Sequence, residues 1–380
     1  MLTHEPVRCL LSGPALSPVL HDALTQVPVR ICVEPAFEDV VAALGDRAPA
    51  GPDDADRHDN PVFYGWEPSY AAVMRLASPA HKHLAGLCKD KAAFRRLTTD
   101  LTPAFRCVEL RDDELRAFRP PSDRSVVLKP SIGTNSIGVR VVASADAWAE
   151  AVEQSLDEIA RASTRVGTDV VSGTLFLVED YVEGTEFACD GFWNRDGEAV
   201  ITGIYEHPFD TPGDVADVVY FTSRPIMRAL LPSATELLNR IGARLGPGAR
   251  RFAFHLEARL RSDGVLVPIE LNPLRFGQIG FSDLAFHAFG HNPYLCFFTD
   301  TGPDWPALCM GDDDIYALVV GLAAPGSDRM AQTADFLAAV GPDRVGFVAS
   351  DREESPFLGI AFTRVPSREE IPRLLSLRSP

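Results

Sequence analysis

Phe252-Ala-Phe-His-Leu-Glu-Ala-Arg-Leu260 and Val265-Leu-Val-Pro-Ile-Glu-Leu-Asn272 are two apolar stretches joined by the polar tetrapeptide Arg261-Ser-Asp-Gly264. An Asp-Gly pair between two apolar runs is a strong signal for a β-hairpin, because both residues tolerate the positive φ of a type I′ turn. We therefore predict two antiparallel strands joined by a two-residue loop of Asp263 and Gly264.

The predicted loop fixes which residues face each other across the hairpin. Glu257 lies opposite Glu270, and His255 lies opposite Asn272. Because side chains of a strand alternate between its two faces, all four of these side chains share one face. Like charges placed opposite each other repel unless a cation neutralises them, and Mg²⁺ prefers oxygen ligands. Glu257, Glu270 and Asn272 are therefore candidate Mg²⁺ ligands, and an edge hairpin with solvated acids is the alternative that this hairpin alone leaves open.

A second candidate site is the loop Lys129-Pro-Ser-Ile-Gly-Thr-Asn-Ser-Ile-Gly-Val139, which joins the predicted strands Val126–Lys129 and Gly138–Val142. A loop with glycines and serines can bring backbone amides close to phosphate oxygens, and Lys129 adds a positive charge. The sequence is not that of a P-loop, because no Gly-Lys-Ser/Thr follows and no helix is predicted to begin there. A phosphate-binding loop and a plain hairpin loop are both compatible with this pattern.

The third candidate is Phe176-Leu-Val-Glu-Asp-Tyr-Val-Glu-Gly-Thr-Glu-Phe187, an apolar strand that carries acidic residues and bends at Gly184. We expect the strand to run from Leu175 to Val182 and to continue into Phe187–Trp193. Its carboxylates suit ribose hydroxyls, and backbone groups near the bend suit the edge of adenine. A strand with a solvated acidic face is the alternative. None of these three motifs is decisive alone.

Composition limits the classes of protein that fit. The chain has 380 residues, more than one hydrophobic core usually supports, so several subdomains are expected. A formal net charge of −17 argues against nucleic acid and anionic membranes as partners, since both attract basic surfaces. The seven cysteines are scattered without a CxxC pair, which is typical of reduced thiols. With no secretory leader or membrane-length apolar run, we expect a soluble, cytoplasmic protein.

Helices are predicted in two further regions. Residues from about 67 to 99 are expected to be helical. Ser233-Ala-Thr-Glu236 has the spacing of a capping box, and it predicts a helix that starts there and ends near Gly246. The mixture of strands and helices indicates an α/β start followed by α+β lobes.

The order of these motifs resembles the ATP-grasp superfamily. The motifs that carry the resemblance are Asp90-Lys91, Lys129 with its glycine loop, the Glu179–Glu186 segment, and Glu257 followed by Glu270-x-Asn272. The resemblance covers about residues 85–310 and implies an ATP-grasp fold, of α/β plus α+β class. In that fold an N-terminal α/β domain precedes two α+β lobes that clasp ATP. The implied boundaries are 1–92 for the N-terminal domain, 93–172 for the small lobe, 173–310 for the large lobe with the metal site, and 311–380 for a C-terminal α/β segment.

The resemblance also implies roles for individual residues. The implied nucleotide contacts are Lys91 and Lys129 for the phosphates, the loop Gly133–Gly138 with Ser136 over the β- and γ-phosphates, Glu179 and Val182 at the adenine hinge, and Glu186 for the ribose. Glu257, Glu270 and Asn272 match the metal ligands, with Mg²⁺ as the expected ion and Mn²⁺ as its alternative.

Two positions depart from the pattern of many superfamily members. An Arg usually lies two residues after the metal-binding Asn, whereas here Arg275 lies three residues after Asn272. The region that often supplies a Lys to the γ-phosphate ends in Tyr205-Glu-His207, so His207 is the candidate substitute. Arg275, Lys129 and His207 are accordingly the predicted catalytic residues.

The function that the resemblance implies is that of an ATP-dependent carboxylate–amine ligase. Such an enzyme forms an amide through an acyl phosphate and releases ADP and phosphate, here with a small amino-acid-like substrate. A carboxylase or kinase on another acceptor, and a nucleotide-binding regulatory protein without turnover, are the alternatives. The expected partners are a small carboxylate and an amine, with no nucleic acid or membrane, and a homodimer is left open.

Overall fold

The computed structural model describes residues 7–13, 15–34, 60–102, 105–134, 136–166, 171–209, 217–277, 279–324, 328–350 and 357–377. Its strands are β1 (Arg8–Leu11), β2 (Arg30–Val33), β3 (Val62–Tyr64), β4 (Cys107–Arg111), β5 (Val126–Ile132), β6 (Arg140–Val142), β7 (Ser172–Asp180), β8 (Thr185–Trp193), β9 (Ala199–His207), β10 (Val219–Thr222), β11 (Phe252–Leu260), β12 (Leu266–Pro273), β13 (Ile315–Leu322), β14 (Arg344–Ala349) and β15 (Phe357–Val365). Its helices are α1 (Pro18–Gln26), α2 (Tyr70–Leu76), α3 (Pro79–Lys89), α4 (Lys91–Thr98), α5 (Asp112–Leu115), α6 (Trp148–Val166), α7 (Arg224–Leu245), α8 (Phe281–Phe289), α9 (Pro293–Thr299), α10 (Trp305–Leu308), α11 (Arg329–Val340) and α12 (Ile371–Leu375).

The described strands form three sheets. A parallel sheet has the order β2-β1-β3, a four-stranded antiparallel sheet has the order β4-β7-β5-β6, and an eight-stranded antiparallel sheet has the order β12-β11-β8-β9-β10-β13-β15-β14. Strands β13 to β15 from the C-terminal region extend the eight-stranded sheet, and Val319 of β13 aligns with Val219 of β10. Within the described ranges, no helix is both long and apolar enough to span a bilayer.

The chain crosses from the four-stranded to the eight-stranded sheet between β7 and β8. The predicted bend at Gly184 is confirmed: its φ is 141°, and a side chain there would clash with the Leu260 carbonyl oxygen. The expected continuation of one strand into the next is wrong, because the bend passes the chain to a different sheet. Tyr181 and Val182 therefore lie at the junction of the two sheets.

The register of the predicted hairpin is confirmed. Strands β11 and β12 are antiparallel, with Glu257 opposite Glu270 and His255 opposite Asn272. The four side chains therefore share the face that the sequence predicts.

The predicted two-residue loop of that hairpin is wrong. The Arg261 amide donates to the Val265 carbonyl at 3.0 Å, so three residues form the loop, and Gly264 supplies the positive φ of 81°. A β-bulge after Glu257 shifts the register by one residue. The longer loop and the bulge compensate each other, which is why the face-sharing prediction holds.

The predicted helix start at Ser233 is also wrong. Helix α7 begins directly after Ser223, whose side chain accepts a hydrogen bond from the Ile226 amide at 3.4 Å. Ser233 lies inside the helix, and its hydroxyl donates to the Leu230 carbonyl at 3.1 Å. A Pro in the first turn after Ser223 is itself a start signal, which outweighs the capping box. The end near Gly246 is confirmed, with a φ of 80°.

The helical region expected from about residue 67 to 99 is helical but divided by caps. Helix α3 begins after Ser78, whose hydroxyl accepts from the His81 amide at 3.1 Å. Asp90 ends α3 and begins α4, since its carboxylate accepts from the Ala92 amide at 2.9 Å. These caps place the Lys residues on both sides of Asp90 close to the sheets.

Each sheet packs around an apolar core. Helix α6 covers the four-stranded sheet, whose core includes Leu128 and Phe176. Helices α7 and α8 cover the eight-stranded sheet, where Tyr205 is fully buried. Phe63 of β3 packs edge-on against Phe276 with ring centroids 5.1 Å apart, which fixes the parallel sheet against the segment that follows β12.

Candidate functional site

A cleft lies between the four-stranded and the eight-stranded sheets, and we call it the intersheet cleft. The predicted residues that line it are Lys91, Lys129, Gly133, Ser136, Glu179, Val182, Glu186, His207, Glu257 and Glu270. Asn272 and Arg275 line a second cavity, which also reaches Glu257 and Glu270. The two spaces therefore meet at the facing acids of the hairpin.

The loop after β5 forms one wall of the intersheet cleft. Ser136 has a φ of 55° and lines the cleft together with Gly133. Gly138 instead holds the loop against α6: its amide donates to Glu158 Oε2 at 3.1 Å, and its carbonyl accepts from Ser155 Oγ at 2.6 Å. Its φ of 75° and its contact with α6 leave no room for a side chain. Gly138 thus shapes the loop, whereas the other two residues face the cleft.

The pKa values of the two facing acids are shifted in opposite directions. Enclosure in the cleft wall and repulsion by Glu270 raise the pKa of Glu257 well above its ordinary value, although 28% of its side chain is exposed. For Glu270, burial is outweighed by the Lys91 ammonium 2.6 Å away, which lowers its pKa to about 2. Asn272 Nδ2 donates to Glu270 Oε1 at 2.9 Å. The hairpin therefore holds one carboxyl group with a lowered pKa and one with a raised pKa, and the Asn272 amide lies beside them.

These residues suit a divalent cation. Among the described residues no group of three His, Cys, Asp or Glu side chains is close enough to hold a metal ion, so a site here needs the Asn272 amide oxygen as its third ligand. Two carboxylates and an amide are the oxygen ligands that Mg²⁺ takes. Such an ion would reduce the electrostatic repulsion between Glu257 and Glu270.

Lys91 connects the acids to the loop. Its ammonium group is buried, lies 2.6 Å from Glu270 Oε2, and donates to the Gly133 carbonyl at 3.3 Å. Lys89 donates to the same carbonyl at 3.4 Å. The two ammonium groups thus hold the start of the loop beside the hairpin acids.

Lys129 belongs to a buried ion triad. Its ammonium lies 2.5 Å from Glu179 Oε2, and Arg95 Nε donates to Glu179 Oε1 at 2.8 Å. Arg95 Nη1 also donates to the Pro268 carbonyl of β12 at 3.0 Å, so the triad joins the four-stranded sheet to the eight-stranded sheet. Burial opposes ionisation of Glu179, but the two cations outweigh it and lower its pKa. The carboxylate of Glu179 therefore positions Lys129 at the cleft.

Glu186 lines the same cleft and has two polar neighbours. Arg259 Nε donates to Glu186 Oε2 at 2.8 Å, and His207 Nδ1 lies 3.2 Å from Glu186 Oε1. Arg259 also donates to the Val182 carbonyl at 3.0 Å, and His207 Nε2 lies 3.7 Å from Asp217 Oδ1. The structure therefore brings His207 to the cleft wall as part of an acid-rich group.

Arg275 lines the second cavity although it lies one residue farther from Asn272 than the family pattern has it. A turn at Leu274 accommodates the additional residue. Leu274 has a φ of 62°, its amide donates to the Ala253 carbonyl at 2.7 Å, and its carbonyl accepts from the Tyr64 amide at 3.2 Å. The Arg275 guanidinium is buried and pairs with Glu67 Oε2 at 2.7 Å. The turn after Asn272 thus places Arg275 between the hairpin and the N-terminal region.

His255 lines the second cavity, and its ring is held by a hydrogen bond to the buried Asp190. Its Nδ1 lies 2.7 Å from Asp190 Oδ1, which also accepts from the Gly277 amide at 2.7 Å. Its Nε2 lies 3.8 Å from Glu257 Oε1. The buried Asp190 therefore fixes the ring beside the facing acids.

Several of these residues were absent from the sequence prediction. Arg259 had a signal, since the alternation that joins His255 to Glu257 continues to it on β11. Arg95 and Glu67 had no such sequence signal. They reach the site from helical segments, and no local sequence pattern predicts where those segments lie in the fold.

Comparisons with known proteins found a matching family model and several similar solved structures. Residues 122–283 match the family model described as an ATP-grasp domain. No curated protein matches the sequence significantly. The L-amino acid ligase from Bacillus licheniformis is similar in structure, with a TM-score of 0.62 and 15% identity over 100% of this chain and 97% of that one.

Two further solved structures are similar. The N5-carboxyaminoimidazole synthase from Aspergillus clavatus, in complex with ADP and 5-aminoimidazole ribonucleotide, has a TM-score of 0.65 and 14% identity over 98% of this chain and 99% of that one. The biotin carboxylase from Campylobacter jejuni has a TM-score of 0.59 and 11% identity over 96% of this chain and 88% of that one. At these identities the likeness shows a shared fold.

Proposed function

The chain carries an ATP-grasp domain in the fold that its motifs predict, and from this premise we propose that it is an ATP-dependent carboxylate–amine ligase. ATP would lie in the intersheet cleft, and the carboxylate would enter the second cavity. The observation that carries the proposal is that the two spaces meet at Glu257 and Glu270. A terminal phosphate from one side and an acceptor from the other can come together at that junction.

The nucleotide would be held along the length of the cleft. Lys129 and the loop residues Gly133 and Ser136 would face its phosphates, where a lysine and backbone amides stabilise negative charge. Val182 would lie beside the adenine, and Glu186 would accept hydrogen bonds from the ribose hydroxyls. The ion triad of Lys129 supports this arrangement, because it fixes the ammonium before any ligand arrives.

Glu257, Glu270 and Asn272 would hold Mg²⁺, and Mn²⁺ could occupy the same oxygen ligands. When bound, the ion would supply charge neutralisation for the β- and γ-phosphates. Lys91 already neutralises Glu270 at 2.6 Å, so it can turn toward phosphate oxygens when a cation takes over the carboxylate.

The chemistry needs no covalent bond to the protein. A carboxylate oxygen of the acid attacks the γ-phosphorus, the bond from that phosphorus to the bridging oxygen breaks, and ADP leaves. The nitrogen of an amine then attacks the acyl carbon, the bond from that carbon to the phosphate oxygen breaks, and inorganic phosphate leaves while the nitrogen gives up a proton to phosphate or solvent. Arg275 in the second cavity would hold the negative charge that develops on the acyl phosphate.

Product analysis tests the proposal. The protein is incubated with ATP, Mg²⁺ and pools of carboxylic acids and amines, and the nucleotides are separated by chromatography. We expect ADP and phosphate in equal amounts, formed only when an acid is present, and a hydroxamate when hydroxylamine replaces the amine. Accumulation of AMP with pyrophosphate would show adenylation instead and contradict the proposal. ADP without any hydroxamate would favour a kinase that phosphorylates another acceptor.

A further inference from the structure

The second cavity has a polar floor and apolar walls. Its volume is about 430 Å³, which is in the range of small-molecule sites. Its floor includes Asn272 and Arg275 beside the facing acids. The walls are largely aliphatic and aromatic and include Trp66 and Phe281. A ligand that fills it must be polar at one end and apolar at the other.

Much of the apolar wall comes from the C-terminal strands, for which the sequence suggested no chemistry. Leu318, Val320 and Leu322 alternate along β13, so they share one face of the sheet, and all three line the cavity. Val320 aligns with Ile360 of β15, and Leu322 aligns with Phe357. These cross-strand pairs form a continuous apolar surface. Leu322 is 38% exposed at the rim, so the surface remains open to a ligand.

Arg275 places one fixed positive group beside the facing acids on the floor of the cavity. Arg275 is buried, with Nε paired to Glu67 and Nη1 donating to the Phe276 carbonyl at 2.9 Å, so its plane is fixed. A guanidinium in a fixed plane suits a carboxylate or an acyl phosphate. A polar side chain lying against the wall would lose its hydrogen bonds to water without finding partners there, which weakens binding.

We propose that the second cavity binds the acid to be activated, and that this acid has an apolar side chain, branched aliphatic or aromatic. The role of the acid rests on the proposed ligase function; the character of its side chain rests on β13 and β15. The carboxylate faces Arg275 at the junction with the intersheet cleft, and the side chain lies against Leu318, Val320 and Ile360.

Equilibrium binding tests the inference without turnover. Isothermal titration calorimetry of the full chain with ADP and Mg²⁺ compares L-leucine and L-phenylalanine with L-serine and L-aspartate, and 4-methylpentanoate tests whether the α-amino group matters. We expect the apolar acids to bind at least about tenfold more tightly than the polar ones. Equal affinities, tighter binding of the polar acids, or no binding of any of these acids would overturn the inference.

Variants of the wall localise the effect. Val320→Asp is expected to weaken binding of L-leucine about tenfold or more, while ADP affinity stays unchanged. Leu322→Asp is a second wall variant in case the first one misfolds, because Leu322 is exposed at the rim and a charge there is easier to accommodate. It should also weaken binding of L-leucine. Val345→Asp is the matched control, since Val345 is 43% exposed on β14 and does not line the cavity. Unchanged leucine binding in both wall variants would place the acid elsewhere.

The two proposals fail in different ways. If a polar acid alone supports ADP release and hydroxamate formation, the ligase function stands and the apolar preference is wrong. If apolar acids bind with the expected preference but no acid yields ADP with any amine, the cavity assignment stands and the ligase function is wrong.

Discussion

Arg275 Nε donates a 2.7 Å hydrogen bond to Glu67 Oε2 across 208 positions of sequence. Glu67 is buried and also pairs with Lys89, whose ammonium reaches the loop carbonyl of Gly133. One carboxylate therefore fixes a guanidinium in the second cavity and an ammonium beside the intersheet cleft. The segment that holds Glu67 lies before the region that matches the ATP-grasp domain, so the site depends on the N-terminal region for its geometry.

The first prediction concerns the guanidinium itself. Arg275→Lys should keep nucleotide affinity and lower the turnover rate about a hundredfold, because an ammonium lacks the planar set of donors. Nucleotide affinity and the turnover rate constant are measured on the same preparation. Arg364→Lys is a control, since Arg364 is an exposed residue in a surface ion pair with Asp314. An unchanged rate in Arg275→Lys would mean that another group, such as His207, holds the developing charge.

The β11–β12 hairpin shows which features of the site could be predicted from the sequence. Alternation and the Asp-Gly signal predicted that Glu257 and Glu270 face each other, and the structure confirms it. The loop length was wrong, and the bulge at Ile269 that compensates for it was not predicted, although Pro268 beside it is a residue found in strands mainly at edges and bulges. The prediction holds because the extra loop residue and the bulge offset each other, so that Glu257 still lies opposite Glu270.

The contacts that position the site could not be predicted in the same way. Arg95 joins Glu179 to the Pro268 carbonyl, which lies 173 positions away from it in sequence. Sequence periodicity records which face of a helix is apolar, and not which distant strand a polar residue will meet. The start of α7 was missed for a different reason, since two cap signals competed and the one before the proline prevailed.

The second prediction concerns stability. Glu67→Gln removes the charge partner of two buried cations, Arg275 and Lys89, and should lower the free energy of unfolding by about 3–5 kcal/mol at pH 7. Denaturant unfolding of both proteins measures the difference. Glu369→Gln, on an exposed position of the C-terminal region, should leave stability within about 0.5 kcal/mol of the parent. A Glu67→Gln protein as stable as this control would mean that the buried ion network does not stabilise the fold.

The third prediction gives that contribution a pH dependence. Burial opposes ionisation of Glu67, but Arg275 and Lys89 outweigh it and lower its pKa from the ordinary 4.5 to about 2. A carboxyl whose pKa is lower in the folded state stabilises the protein above its unfolded pKa and loses that contribution as the pH falls. The stability difference between the parent and Glu67→Gln should therefore be constant above about pH 5 and should shrink by about 3 kcal/mol toward pH 2. A difference that grows on acidification would contradict the assignment.

The last prediction concerns the hairpin acids. Glu270→Gln keeps the size of the side chain but removes the charge that pairs with Lys91 at 2.6 Å and that would bind the cation. Turnover should fall roughly a thousandfold, since charge stabilisation in the transition state by a metal site is worth several kcal/mol. Turnover is measured across a Mg²⁺ titration, with circular dichroism as a check that the fold is intact. Glu236→Gln, on an exposed position of α7, is the matched control and should retain the parent rate. Near-normal turnover of Glu270→Gln, with unchanged Mg²⁺ dependence, would remove Glu270 from the metal site and leave its carboxylate with the structural task of holding Lys91 and, through it, the loop at Gly133.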